Sequence, residues 1–170
     1  MLGLRHDQNL LVDYDPDWSS LFAEERDRLQ SALFHVLQGI EHYGSTAVPG
    51  LRAKPIIDIL VGILPLRDWV RCKQPLESLD YDYAEHAGVP GHYIFGRGRD
   101  LSERTHLVHL VEFNGPSWRS NLAFRDALRA SQQLREEYLA AKEAAVQSAP
   151  EGRAKYNELK QIFFDKINLV

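Results

Sequence analysis

The chain has 170 residues, 24 acidic against 20 basic side chains and a formal net charge of −4; that length suits one domain with its own core. The negative balance argues against general nucleic-acid binding but leaves room for a local basic patch that holds a small phosphorylated ligand. One cysteine, Cys72, excludes an internal disulfide framework and fits a reduced, cytoplasmic setting, and no apolar run approaches the roughly 20 residues of a membrane span or the blocks of a secretory signal.

In chain order, Asp15-Pro16-Asp17-Trp18 reads as a helix start, with Asp15 able to accept from orphan amides and Pro16 at the first helical position. Phe22, Leu29, Leu33, Val36 and Leu37 recur at helical spacing, which predicts a helix to about Leu37 that Gly39 ends. Residues 40–43 are expected as a short strand and residues 56–61, Ile-Ile-Asp-Ile-Leu-Val, as a central one, β-branched and apolar on both faces. Pro49, Gly50 and Pro55 make the connection irregular or a single helical turn. A weak helix interrupted by Pro75 is expected over 66–79, then strands at 92–95 and 105–113 joined as a hairpin by the loop 96–104. Beyond Asn114-Gly115-Pro116 the apolar spacing is helical to the end, through Trp118, Leu122, Phe124 and Leu128, then Leu134, Tyr138 and Ala141, then Tyr156, Leu159, Ile162, Phe163 and Ile167, with residues 148–152 separating the last two helices. The sum is a single α+β domain over 1–170, a small mixed sheet packed with helices and a helical part from about residue 116. Trp69, Trp118 and Tyr138 suit a core or an interface equally.

Two features carry chemistry. Asp58 stands among aliphatic strand neighbours, where an ionised carboxylate is costly unless a cation or hydrogen-bond donors meet it. A metal ion is one such partner; helix capping, Lys54 or an arginine is the architectural alternative. Gly44-Ser45 permits close backbone approach and offers a hydroxyl and an amide to a phosphate oxygen, although such pairs also serve as plain turns. Cys72 has no motif that would activate it and is read as structural.

The wording "EHYGSTAVPGLRAKPIIDI", with "YDPDW" at Tyr14, "RTHLVHLVE" at Arg104 and "NLAFRDALR" at Asn121, resembles the GrpB family. These are small proteins related to the nucleotidyltransferase superfamily, found alone or fused to dephospho-CoA kinase. The resemblance implies a minimal nucleotidyltransferase fold, with Gly44, Ser45 and Thr46 at a triphosphate-binding turn and Asp58 as a metal-binding carboxylate. It implies a divalent ion, Mg²⁺ or Mn²⁺, with a nucleoside triphosphate as substrate. The superfamily pattern has a second acid two residues on, where this chain has Leu60, so a two-metal transfer lacks its usual bridge. A third superfamily carboxylate comes from a later strand, for which His106, His109 and Glu112 are the candidates here. Alternation puts His106 with Glu112 on one strand face and His109 on the other, and His42 flanks the turn. A site of Asp58 with imidazoles suits a transition metal better than Mg²⁺.

Arg97, Arg99 and Arg104 gather in the loop 96–104, where they either close over phosphate or form a solvated tip. Lys54 and Arg104, inside the resembling motifs, are the candidates for charge neutralisation. Arg119, Arg125 and Arg129 read as stems that cover a core, and Glu136, Glu137, Lys142 and Glu143 as a water-facing helix surface. The expectations are therefore a nucleotidyltransferase, a nucleotide or phosphate-ligand binding module without transfer, or a domain for a protein partner.

Overall fold

The structure, a computed structural model, describes residues 1–100, 102–148, 158 and 161–166. Its elements in chain order are β1 (Leu4–Arg5), α1 (Asp17–Leu33), β2 (Leu37–Tyr43), β3 (Ile57–Ile63), α2 (Lys73–Glu77), β4 (Asp82–Tyr83), β5 (Tyr93–Arg97), β6 (Glu103–Arg104), β7 (His106–Glu112), α3 (Pro116–Ala130) and α4 (Gln132–Ser148). Short 3₁₀ turns occupy Ser45–Ala47 and Leu66–Cys72. Five strands form one mixed sheet in the order β2-β3-β7-β5-β4, with β3 parallel to β7 and the other pairs antiparallel, while β1 and β6 make a separate two-stranded ribbon. The α+β expectation holds, and the loop between the hairpin strands contains β6.

Alternation along β3 divides its residues between two faces. Ile57, Ile59, Val61 and Ile63 join Val108 and Leu110 of β7 against Trp18, Leu29 and Leu33 of α1, all buried in one cluster. Removal of each such side chain from water contributes about 2 kcal/mol. Leu60 of β3 and Val111 of β7 point the other way, into a smaller cluster with Tyr43 and Trp118.

The first helix is shorter than its apolar spacing predicts. It ends at Leu33, and Leu37 and Gly39 pair with Ile63 and Gly62 as part of β2. Val36 and Leu37 satisfy a helical stripe and a strand equally well, and pairing with a fully buried neighbour decides between them. Gly39 and Gly62 then leave a shallow floor: a Cβ on either would come within 3.0 Å of the ring of Trp118 or Phe113. That floor seats the first turn of α3 across the sheet face that carries Asp58. Pro75 lies inside the five-residue α2. A third apolar cluster clasps the loop after Ser45, as Val48 and Leu51 pack on Phe124, Leu128 and Tyr138 of α3 and α4. Trp118 and Tyr138 are thus core, while Trp69 stacks on Tyr93 with ring centroids 4.1 Å apart. The expected last helix falls partly outside the described residues; Ile162 and Phe163 lie in a helical segment over 161–166.

Candidate functional site

Tyr43, the last residue of β2, pairs with Asp58, the second residue of β3. The next residue, Gly44, turns the chain with φ +72° and ψ −170°, a conformation that side chains disfavour. A Cβ there would lie 2.8 Å from Asp58 Oδ2. The small-residue turn and the strand carboxylate are therefore in contact, and only glycine fits both the dihedral and the space. The Asp58 side chain is 27% exposed, so the acid sits at the rim of the sheet rather than in its core.

The three residues of the turn face different ways. Ser45 Oγ accepts a hydrogen bond from Lys142 Nζ at 2.9 Å. Thr46 is buried and bonded inward, its hydroxyl 3.0 Å from His42 Nε2 and 3.3 Å from the Ile56 carbonyl it donates to. Thr46 therefore braces the turn and does not present its hydroxyl outward.

Three cations from the C-terminal helices converge on this turn. Arg125 donates to the His42 carbonyl at 2.8 Å and to Glu41 at 2.7 Å. Arg129 donates to the Ala47 carbonyl at 2.9 Å. Lys142, only 2% exposed, also donates to the Arg52 carbonyl at 2.9 Å, and its ammonium lies 5.2 Å from the Tyr138 ring centroid. Neither the water-facing reading of Lys142 nor the stem-only reading of Arg125 and Arg129 describes these residues. A signal existed for Lys142: it is four residues from Tyr138 and three from Ala145, so it shares their buried stripe. The spacing could not give the partner, which is 97 residues away. Crowding has electrostatic consequences, since burial and then the charge of Arg125 depress the Arg129 guanidinium. For Arg125, burial works against the charge, but bonds to Asp126 and Glu41 outweigh it and raise the pKa.

Other expected residues are used elsewhere. Arg104 is buried and forks onto Asp82 with bonds of 2.8 and 2.6 Å, and its guanidinium passes so close over Gly96 that a Cβ there would collide with it. Its guanidinium completes an ion pair at the β4–β5 edge, a correction to its expected role at phosphate. Arg97 lies 3.3 Å from buried Glu25, and Arg99 lies 3.7 Å from Glu103. Lys54 is half-buried in the link between the turn and β3, its carbonyl accepting the Ile56 amide at 2.8 Å.

The histidines divide as alternation requires. His106 and Glu112 share the α1 side of β7 and do not face Asp58; His106 is 3% exposed, with Nδ1 2.8 Å from Thr105 Oγ1. His109 is the one that faces the acid, its Nε2 3.7 Å from Asp58 Oδ1. That nitrogen is buried and has no hydrogen-bond partner. Its other nitrogen, Nδ1, lies 3.2 Å from Nδ1 of His92, a residue the sequence reading passed over. His42 stacks on Phe22 with centroids 4.8 Å apart, and burial pushes its pKa down to about 4 despite the opposing pull of Asp58. Burial, and then Asp58, raise the Tyr43 phenol well above its usual range. Both flanking groups are thus neutral near pH 7, so neither is a fixed cation for the acid.

An orphaned buried nitrogen beside a carboxylate fits a divalent ion, which takes imidazole nitrogen and carboxylate oxygen together. Among the described residues no three His, Cys, Asp or Glu side chains form a metal cluster, so phosphate oxygens or water would have to complete the shell. Leu60, where the superfamily carries its second acid, is 0% exposed beneath Trp118. Cys72 is also buried, its thiol pushed up to about 11, which suits a structural residue. Among the described residues no helix is long and apolar enough to cross a membrane.

Comparison with known proteins agrees with this architecture. The Glutamate-rich protein GrpB of Alkalihalophilus pseudofirmus is 32% identical over 170 residues, 98% of each chain. The crystal structure of the conserved protein GrpB from Enterococcus faecalis superposes with a TM-score of 0.77 at 30% identity, covering 93% of this chain and 99% of that one. More distantly, Cid1 in complex with the UTP analogue UMPNPP gives a TM-score of 0.55 at 11% identity, over 86% of this chain and 48% of the Cid1 chain. The fold is therefore nucleotidyltransferase-like. The model of the GrpB protein family matches residues 9–169, and the chain belongs to that family.

Proposed function

We propose that this protein binds a nucleoside triphosphate or a similar phosphorylated ligand, together with a divalent ion, where the Gly44-Ser45 turn meets Asp58, and that it transfers a nucleotidyl group to an acceptor. The contact between Gly44 and the Asp58 carboxylate carries this reading, because a turn open to close backbone approach then lies beside an oxygen of the kind that binds divalent ions. The fold it shares with Cid1, a protein solved with a UTP analogue, supports it at the level of architecture.

In this reading Gly44 admits the phosphate chain close to the backbone, and the Ser45 hydroxyl keeps its own proton to donate while it accepts from Lys142. Lys142 and Arg129 make the turn electropositive, in place of the Arg104 suggested by the sequence motif. Asp58 would hold the ion through its carboxylate with His109 Nε2 beside it. When bound, the ion supplies charge neutralisation at the phosphates.

A second reading, retention of the ligand without transfer, is favoured by Leu60, a buried aliphatic residue at the position where the superfamily carries its second carboxylate. Thermal unfolding with nucleoside triphosphates, with and without Mg²⁺ or Mn²⁺, tests the shared part, because a ligand that binds only the folded state raises the midpoint. Metal-dependent release of pyrophosphate then separates enzyme from binder. Absence of any shift across the four triphosphates and both ions would reject both readings and favour a domain that meets a protein partner.

A further inference from the structure

His92 sits in the turn leading into β5, and its ring meets that of His109 edge to face with centroids 5.4 Å apart and the two Nδ1 atoms 3.2 Å from each other. Tyr43 also meets the His109 ring, at 5.3 Å and 87°. Held by these contacts, His109 turns Nε2 toward Asp58 Oδ1 across 3.7 Å, too far for a hydrogen bond. A buried nitrogen left without a hydrogen-bond partner is destabilising, and with His109 neutral its orientation toward the Asp58 carboxylate is not offset by an ion pair.

We propose that Asp58 Oδ1 and His109 Nε2 form a mixed oxygen and nitrogen half-site that selects a later first-row transition ion such as Co²⁺ or Zn²⁺ over Mg²⁺, and that His92 is the positioning residue that sets the His109 ring. The inference rests on the reading of Asp58 as a cation anchor. Metal bonds from imidazole and carboxylate are each about 2.0–2.2 Å long, so one ion reaches both atoms across the observed gap. Imidazole suits the later transition ions, whereas Mg²⁺ prefers carboxylate, phosphate and water oxygens. A ligating imidazole is ordinarily fixed by a hydrogen bond to its other nitrogen; the Nδ1 atoms of His109 and His92 lie 3.2 Å apart, and the tautomer with its proton on His109 Nδ1 donates to His92 and leaves the Nε2 lone pair facing the acid.

The test is titration of the full chain with Co²⁺ in the presence of inorganic tripolyphosphate, followed by visible absorption, with Mg²⁺ as competitor. The expected result is a set of visible bands and a Co²⁺ preference over Mg²⁺ of at least about tenfold. His109→Phe should abolish the preference, His92→Phe should lower Co²⁺ affinity by about 10-fold to 100-fold, and His92→Asn, which keeps a polar atom near Nδ1, should restore most of it. The proton NMR spectrum of the Co²⁺-loaded protein needs no variant: a hyperfine-shifted exchangeable imidazole proton from His109 is expected. If Asp58→Asn leaves Co²⁺ affinity unchanged, the anchor reading of Asp58 falls and this inference with it. If Asp58→Asn abolishes binding but Mg²⁺ competes equally and no shifted imidazole proton appears, the nitrogen ligand is overturned while the anchor stands. Equal affinity in His92→Phe overturns the positioning role.

Discussion

His106 and His109 stand three residues apart on one strand, yet their surroundings differ in kind. His106 faces α1 among buried aliphatic residues, with a hydroxyl 2.8 Å from its Nδ1 and the carboxylate of Glu25 raising its pKa against the larger depression from burial. His109 faces α3, with a buried Nε2 that finds no partner and a carboxylate just beyond bonding distance. The same residue type is thus an architectural element on one side of the sheet and an unspent donor or acceptor on the other. Burial alone does not distinguish the two; a buried ring nitrogen left without a partner does.

The largest effect is expected from Asp58→Asn. It should remove the whole metal-dependent part of any triphosphate-induced thermal shift and leave the metal-free midpoint little changed, since the side chain lies at the rim. An unaltered metal response in that variant would return Asp58 to architecture. Gly44→Ala comes next: left-handed strain and the 2.8 Å approach to Asp58 Oδ2 should cost about 2–3 kcal/mol in denaturant unfolding and displace the carboxylate from the turn.

A pH series probes the buried imidazoles. The unfolded His42 titrates near 6.5 and the folded one near 4 because of burial, so between those values the unfolded state binds more protons. Stability is fully present above pH 6.5 and is lost as pH falls toward 4, by on the order of 2–3 kcal/mol. His42→Gln, measured by chemical unfolding across that window, should flatten the slope; His92, also held down to about 4, accounts for part of what remains. On the α1 side, His106→Ala should cost about 2 kcal/mol through the cavity it leaves, the Thr105 hydroxyl keeping its bond to the Arg97 carbonyl, with no change in the response to metal. Arg104→Ala should cost less, about 1–2 kcal/mol, because its partner Asp82 is 40% exposed. Calorimetric titration with tripolyphosphate should find its affinity unchanged, whereas a clear loss would bring Arg104 back to the phosphates.

Much of the fold was legible because its signals are local. The β-branched run of β3, the glycine before α3 with the proline that starts it, and the alternation along β7 each reflect preferences acting over a few residues. Boundaries failed where two periods coincide, as at Val36 and Leu37, which fit a helical stripe until strand pairing claims Leu37. The site was half legible. Gly44, Ser45 and Asp58 were singled out from residue type and spacing, and the structure sets Gly44 against the Asp58 side chain. Arg104 was misplaced because a motif position carries no information about Asp82, 22 residues earlier. His92 was passed over because nothing in its neighbours marks the ring it meets.

Residue types alone specify that a small turn precedes an acid-bearing strand, because glycine's tolerance of positive φ and the two-residue repeat of a strand are properties of short segments. Which groups surround that acid was settled by packing. The paired glycines Gly39 and Gly62 let α3 lie on the sheet, and α3 and α4 then deliver Arg125, Arg129 and Lys142 to the turn from 82 to 97 positions away in the chain. Electrostatic and hydrogen-bond partnership depends on distance in space, and only the closed fold sets that distance.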